Sequence, residues 1–305
     1  MRGLRGLGGA ALALWLAGCA NFGAVSEFAH ETSNVSHTVC SELAQLDTLC
    51  RDQAELTIVV ADLPDDGPLQ ACDNHRAAQG RLAVFTLDVL DDYARVLSAL
   101  AADKSFDLTS DVNTVGKRVA ALQGKGGAPV VSRGESMALT QIAQALAEIA
   151  TERARDRAVR RLAAEAPNLA QAGRTLRALF VADASAGTGR ATAPYANIVA
   201  LTRDAFDTTQ KQFRQARFRQ AEPLRTAELL RAMRARDAQL LRRTGSAPDS
   251  VPVMMAAAID AWLEALDVFA QEALQPERGE LMRRIKAQHS KTAVARDAFE
   301  AEDHR

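Results

Sequence analysis

FGAVSEFAHETSNVSHTVCSELAQLDTLCRDQAELTIVV, residues 22–60, decides the fold class. Phe22, Val25, Phe28, Thr32, Val35, Val39, Leu43, Leu46 and Leu49 recur at intervals of three and four, one face of a single long helix. At 1.5 Å per residue, a helix running on to Val60 approaches about 60 Å. Neither this stretch nor any other alternates with period two between hairpin turns, and no repeat of fixed period stands out.

Leu63-Pro64-Asp65-Asp66-Gly67-Pro68 then breaks the chain. The spacing predicts a second helix over about 73–102, with Leu82, Phe85, Val89, Tyr93, Val96 and Leu100 as its seam. A shorter third helix is expected from the capping residues Asp107 to Ser110 up to Gln123. Gly124-Lys125-Gly126-Gly127-Ala128-Pro129 is the clearest later break, so a subdomain boundary, if there is one, falls at 124–134. Ser132 or Ser136 opens a fourth helix, with Leu139, Ile142, Leu146 and Ile149 inward and a charged second half reaching Arg161. Pro167 separates it from a fifth carrying Leu169, Leu176, Leu179 and Phe180. After a loop over 184–194, a stretch over 195–243 reads as helix that Pro223 kinks or splits. Gly245–Pro252 interrupts the chain again, Ile259, Trp262, Leu266 and Phe269 mark the next helix, and Leu281, Ile285, Val294 and Phe299 the last. The expected architecture is all-α, an extended bundle of long antiparallel helices.

Upstream of Phe22 the sequence changes character. Arg2 and Arg5 precede an apolar run from Leu7 to Ala17, and small residues follow, the layout of a secretory signal. That run is too short to span a bilayer, which takes about 20 residues. It ends in Leu16-Ala17-Gly18-Cys19, which resembles the lipobox of bacterial lipoproteins. The resemblance covers about the first 20 residues and implies cleavage between Gly18 and Cys19, with acyl chains added at Cys19. Two or three such chains make membrane attachment stable, at about 0.8 kcal/mol per buried methylene. Ala20 stands where, in that family, aspartate signals retention at the inner membrane, so the resemblance implies the periplasmic face of the outer membrane. The mature body would be 19–305, the signal 1–18.

The full sequence is ordinary in apolar content, 48%, and in charge, 25%, so long disordered stretches are not expected. With aromatics at only 5% and alanine and leucine abundant, closely packed helices are favoured over a β-rich core. The net charge of −1 is unevenly placed: 16 acids and 8 bases in 19–130, 22 acids and 27 bases in 131–305. Such halves either neutralise each other within the fold or leave a basic surface for an acidic envelope polymer or lipid headgroup.

Beyond Cys19 the cysteines are Cys40, Cys50 and Cys72. An oxidising compartment favours one disulfide among three. Cys40 and Cys50 lie about 15 Å apart along one helix, too far to bond. Cys50 and Cys72 flank the breaker and meet if the chain doubles back, so they are the expected pair, with Cys40 left as a small buried apolar residue.

Few residues suggest chemistry. Glu27 and His30 form an E-x-x-H pair, but no second pair exists for a di-iron site, so a solvated polar face is expected. The glycine runs near 124 and 187 lack a phosphate-loop pattern, no G-x-S-x-G or H-E-x-x-H occurs, and no C-x-x-C marks a metal site. No catalytic residue, metal or cofactor is therefore expected. From Arg203 to Arg243 there are 11 bases and five acids, with Phe206, Phe213 and Phe218 interleaved. Behind a lipoprotein signal, nucleic acid is not the expected partner. Arg214, Arg217 and Arg219 are the candidates for binding another partner, while Asp260, Glu264 and Asp267 form an acidic stripe able to neutralise the arginines by helix packing.

The function expected is a membrane-anchored structural or interaction role in the cell envelope, with an envelope protein or peptidoglycan as partner. The alternative is a helical carrier whose apolar interior holds a lipid or other hydrophobic ligand in a cavity of roughly 300–1,000 Å³.

Overall fold

A computed structural model describes residues 22–61, 66–102, 133–149, 155–182, 193–215, 223–244, 247–272, 290, 293 and 294. The chain is all-α. Among the described residues its helices are α1 (Phe22–Ala61), α2 (Gly67–Ala101), α3 (Arg133–Ile149), α4 (Arg155–Ala164), α5 (Ala166–Phe180), α6 (Pro194–Gln215), α7 (Pro223–Arg243) and α8 (Val251–Glu272). The lipobox, the helix expected over 107–123, the break at 124–129 and the core of the last expected helix lie outside the described residues.

Proline sets most of these boundaries. Pro68, Pro167, Pro194, Pro223 and Pro252 each occupy the first or second position of a helix. There the missing N–H costs nothing, because the first turn has no carbonyl to receive it, and the fixed φ suits helix entry. The residues ahead cap accordingly: Asp66, Glu165, Ala193 and Ser250 each accept, through the backbone carbonyl, an N–H from four residues on. This accounts for one difference from the sequence pattern. The second helix starts at Gly67, six residues before Asp73, because the Gly67-Pro68 pair begins a helix where it was read as part of a break. Within the stretch over 195–243 the described residues form α6 and α7, with Pro223 heading α7. Within the span of the fourth expected helix they form α3 and α4, and Glu165 turns the chain from α4 into α5.

The chain divides into two compact units, each built from three stretches. Unit I comprises Met1–Ser36, Thr86–Gly173 and Asp260–Thr292; unit II comprises His37–Phe85, Arg174–Ile259 and Ala293–Arg305.

In unit I, Ser33 donates to Asp91 Oδ1 at 3.2 Å and Ser36 to the Leu87 carbonyl at 3.2 Å. Partners on α2 retreat as those on α1 advance, the order of an antiparallel pair. The core gathers Phe28, Leu90, Tyr93, Leu97, Leu139, Ile142, Leu146, Trp262 and Phe269, all buried. Phe28 stacks on Phe269, centroids 4.5 Å apart, and the indole N–H of Trp262 donates to Thr32 Oγ1 at 3.0 Å. Thr32 passes its own proton to the Phe28 carbonyl, 2.8 Å away, so the buried hydroxyl is satisfied both ways.

In unit II the α1–α2 pair is again antiparallel, fastened by the Cys50–Cys72 disulfide with Cα atoms 6.1 Å apart and by the ion pair of Asp47 and Arg76 at 3.4 Å. Leu69, Ile198 and Leu201 pack around the disulfide, which ties α6 to the same cluster. α6 also packs along α7. Cys40 is exposed, not buried as its apolar character suggested. The buried stripe there runs through Val39, Glu42 and Leu46, and Cys40, one position past Val39, is rotated off it.

Gly173 marks the tightest approach in unit I. A Cβ there would lie 2.6 Å from Trp262 Cζ3 and 2.8 Å from Leu263 Cδ2, so α5 meets α8 at a distance only glycine allows. Gly173→Ala is expected to cost about 1–3 kcal/mol by overpacking. A urea midpoint equal to that of the wild type would show that α8 yields freely and the contact is not a constraint.

Candidate functional site

The densest set of buried polar groups lies in unit II, where α1, α6 and α7 meet. Glu42 on α1 and Arg243 on α7 are fully buried. Arg243 binds the carboxylate with two parallel bonds, Nε to Oε1 at 2.9 Å and Nη2 to Oε2 at 3.0 Å. Nη2 also reaches Gln45 Oε1 at 3.2 Å, and Nη1 the Gln239 carbonyl at 3.4 Å. Tyr195 on α6 donates its phenol to Glu42 Oε1 at 2.5 Å. Its ring lies against Phe180, centroids 5.1 Å apart. Burial first, and then the Glu42 charge, push the Tyr195 phenol well above its ordinary range, with Arg243 acting the other way.

About three turns along α1 from Glu42 a second network begins at Gln53. Gln53 donates to Thr209 Oγ1 at 3.0 Å, the Thr57 and Thr209 hydroxyls lie 2.9 Å apart, and Thr57 also bonds the Gln53 and Ala205 carbonyls. Arg236 closes this set from α7, donating to Gln53 Oε1 at 3.2 Å and to the Asp52 carbonyl at 3.3 Å. Arg203 pairs with Asp237 at 2.7 Å and Asp207 at 3.3 Å and lies over the Phe206 ring.

These contacts sort the basic stretch. Arg203, Arg236 and Arg243 face acids of α1, α6 and α7, whereas the sequence pattern pointed to Asp260, Glu264 and Asp267 as the neutralising stripe. Acids of the N-terminal half thus meet arginines of the C-terminal half inside unit II. Arg231 and Arg234 instead face solvent. Of the expected partner-binding residues, Arg217 and Arg219 lie outside the described residues. Arg214 belongs to α6, but its side chain is also outside them. Gly18 and Cys19 are outside them as well.

Unit I carries an open groove of about 350 Å³ between α1 and α2, lined by Ser26, Glu27, Ala29, His30, Ser33, Ala94, Arg95 and Ser98. Its walls mix hydroxyls and charges with Ala29 and Ala94, and its lining holds neither the leucines nor the phenylalanines expected of a lipid carrier's interior. Arg95 is held by Asp91 and Asp92, and Asp91 also receives Ser33. Glu27 and His30 sit exposed at its edge. Among the described residues no group of three or more His, Cys, Asp or Glu is placed to hold a metal ion.

The sequence pattern missed Glu42, Tyr195 and Arg243 as a set. It put Leu43 on the inward stripe, where the structure buries Glu42 and leaves Leu43 half-exposed. The usable signal was positional: Glu42 continues the Val35–Val39 spacing by three, a charge in an apolar register. Comparison with protein-family models, characterised proteins and solved structures gives no match to this chain.

Glu42→Gln leaves a buried guanidinium without its counter-charge and is expected to lower stability by about 3–5 kcal/mol. Replacing both partners by apolar residues should cost less, and chemical denaturation of the two variants measures the difference. Equal losses would mean that the pair matters for its packing and not for its charge.

A second test uses the tyrosines. The chain has two, Tyr93 and Tyr195. Both are raised, Tyr93 by burial and then by Glu165, while its hydroxyl donates to the Leu162 carbonyl at 3.2 Å. A phenol raised in the folded state contributes stability that is complete below its unfolded value of about 10 and is lost as pH rises through the folded one. The native chain is therefore expected to show little phenolate absorbance at a pH where the urea-unfolded chain is half ionised, and to destabilise only above it. Ordinary titration of either tyrosine in the folded chain would contradict the burial described.

Proposed function

We propose that this chain is a lipid-anchored protein of the bacterial envelope that acts by binding and not by catalysis. The observation that carries the reading is Leu16-Ala17-Gly18-Cys19 at the end of a short basic and apolar leader. Acylation at Cys19 would hold the body at a membrane, and Ala20 in place of aspartate favours the periplasmic face of the outer membrane. A disulfide between Cys50 and Cys72 suits an oxidising compartment. Among the described residues no helix is long and apolar enough to cross a membrane, which leaves attachment to the lipid in this reading. The buried ionisable groups of unit II are turned on one another, an arrangement suited to holding a surface in shape. The binding surface would meet an envelope protein or the peptidoglycan, with the helices expected to form an extended antiparallel bundle.

Fractionation of cells expressing Cys19→Ser tests the anchor. The variant is expected in the soluble fraction, with wild type in membranes and carrying acyl chains on its N-terminal cysteine. An acylated membrane pool of the variant, or an unmodified wild-type N-terminus, would overturn the reading.

A further inference from the structure

We propose that the solvent face of α7 is a docking strip for an anionic phospholipid surface. The proposal rests on the lipid-anchored reading above and adds to it a second contact with the bilayer.

α7 has two opposed sides. Met233 and Leu240 are buried, with Arg243 bound to Glu42 and Arg236 to Asp52 and Gln53. Away from them, Leu230, Arg234, Asp237 and Leu241 recur at four, three and four and form one stripe, with Asp237 neutralised by Arg203 of α6 and Arg231 and Ala238 beside the stripe. Leu230 is 37% exposed and Leu241 58%. Arg231 and Arg234 are exposed between them. The other large apolar side chains exposed among the described residues, Val59, Met137 and Val294, are scattered over other parts of the chain. Exposed Glu228 lies two positions before Leu230, on a different face.

The chemistry of the strip matches a headgroup layer. Its leucines are separated by eleven positions, about 16 Å along the axis. Between them, the arginines reach phosphate oxygens with their planar forks while their methylene stems stay in apolar surroundings. Apolar ends with basic residues between is the pattern of helices that lie in a membrane interface.

Size decides between a membrane and a protein as occupant. A stable protein interface takes about 20–30 residues a side. The strip offers four principal side chains, too few for that. Weak contacts suffice on a bilayer to which acyl chains already hold the chain, because tethering makes the second contact intramolecular.

The test uses the mature chain from residue 19 carrying Cys19→Ser, so that it bears no lipid, sedimented with phosphatidylcholine vesicles with and without phosphatidylglycerol. Binding is expected only with phosphatidylglycerol and should fall as salt is raised. Arg231→Gln with Arg234→Gln should weaken partition about thirty-fold. Leu241→Ser should weaken it further, while Arg160→Gln, an exposed arginine of α4, should leave it unchanged. Equal binding to both vesicles, indifference to the paired substitution, or an equal loss with Arg160→Gln would overturn the proposal. Because this protein lacks acyl chains, failure here leaves the anchor at Cys19 standing, and failure of the fractionation leaves this measurement intact.

Discussion

A carboxylate and a guanidinium taken out of water govern the geometry of unit II. Burying either alone would cost several kcal/mol, and mutual attraction returns that only when the geometry is good and the remaining valences are filled. Here Arg243 grips both oxygens of Glu42, Gln45 takes a further N–H and Tyr195 donates to Oε1. The net stabilisation of such a set is small. Its effect is on specificity: sliding α1, α6 or α7 by one turn strands a charge in the interior, whereas apolar contacts would re-form at many registers. The Gln53–Thr57–Thr209 set adds a second fixed point on α1 and α6.

The same contacts show where the opposed charges of the two halves meet. Glu42 and Asp52 come from the acidic half, Arg243 and Arg236 from the basic one, and folding brings them together within one unit. Composition alone leaves this indistinguishable from a basic docking surface, since counting charges does not say which side of a helix they occupy. α7 does both: it turns Arg236 and Arg243 inward and Arg231 and Arg234 outward, because residues two apart on a helix, such as Arg234 and Arg236, look in nearly opposite directions.

The all-α class was legible because a period near 3.6 sustained from Phe22 to Leu49 has no other reading, and the Cys50–Cys72 pairing because a breaker between two long helices brings its flanks together. Helix starts were half legible. Pro68, Pro167 and Pro252 read as interruptions, but a proline one or two residues into a helix is a beginning, and only the preceding cap tells the two apart. The inward face was blurred by one residue, Leu43 for Glu42, and Cys40 was taken as buried. Over forty residues a stripe chosen at alternating threes and fours drifts around the axis, and nothing local corrects it. Tyr195 and Arg243 lie 153 and 201 positions from Glu42, and no local pattern encodes a meeting at that separation.

An interior poor in aromatics sharpens what the surface means. Among the described residues most large rings are spent inside: Phe28, Tyr93, Trp262 and Phe269 in unit I, Phe180, Tyr195, Phe206 and Phe213 in unit II. Alanines fill much of what remains, and helices held by small side chains must approach closely, to the limit reached at Gly173 against Trp262. Close approach leaves little room for large side chains at the seams, so each leucine in such a fold is placed either where it completes a core or where it serves the exterior. A lone exposed leucine is ordinary on any protein. Two on one face of one helix, with arginines between them and with Arg236 and Arg243 of that helix turned inward onto acids, are not explained by packing. The division of α7 into a neutralised side and a cationic, apolar side is therefore a property of its sequence register, fixed in place by the buried pair at Glu42.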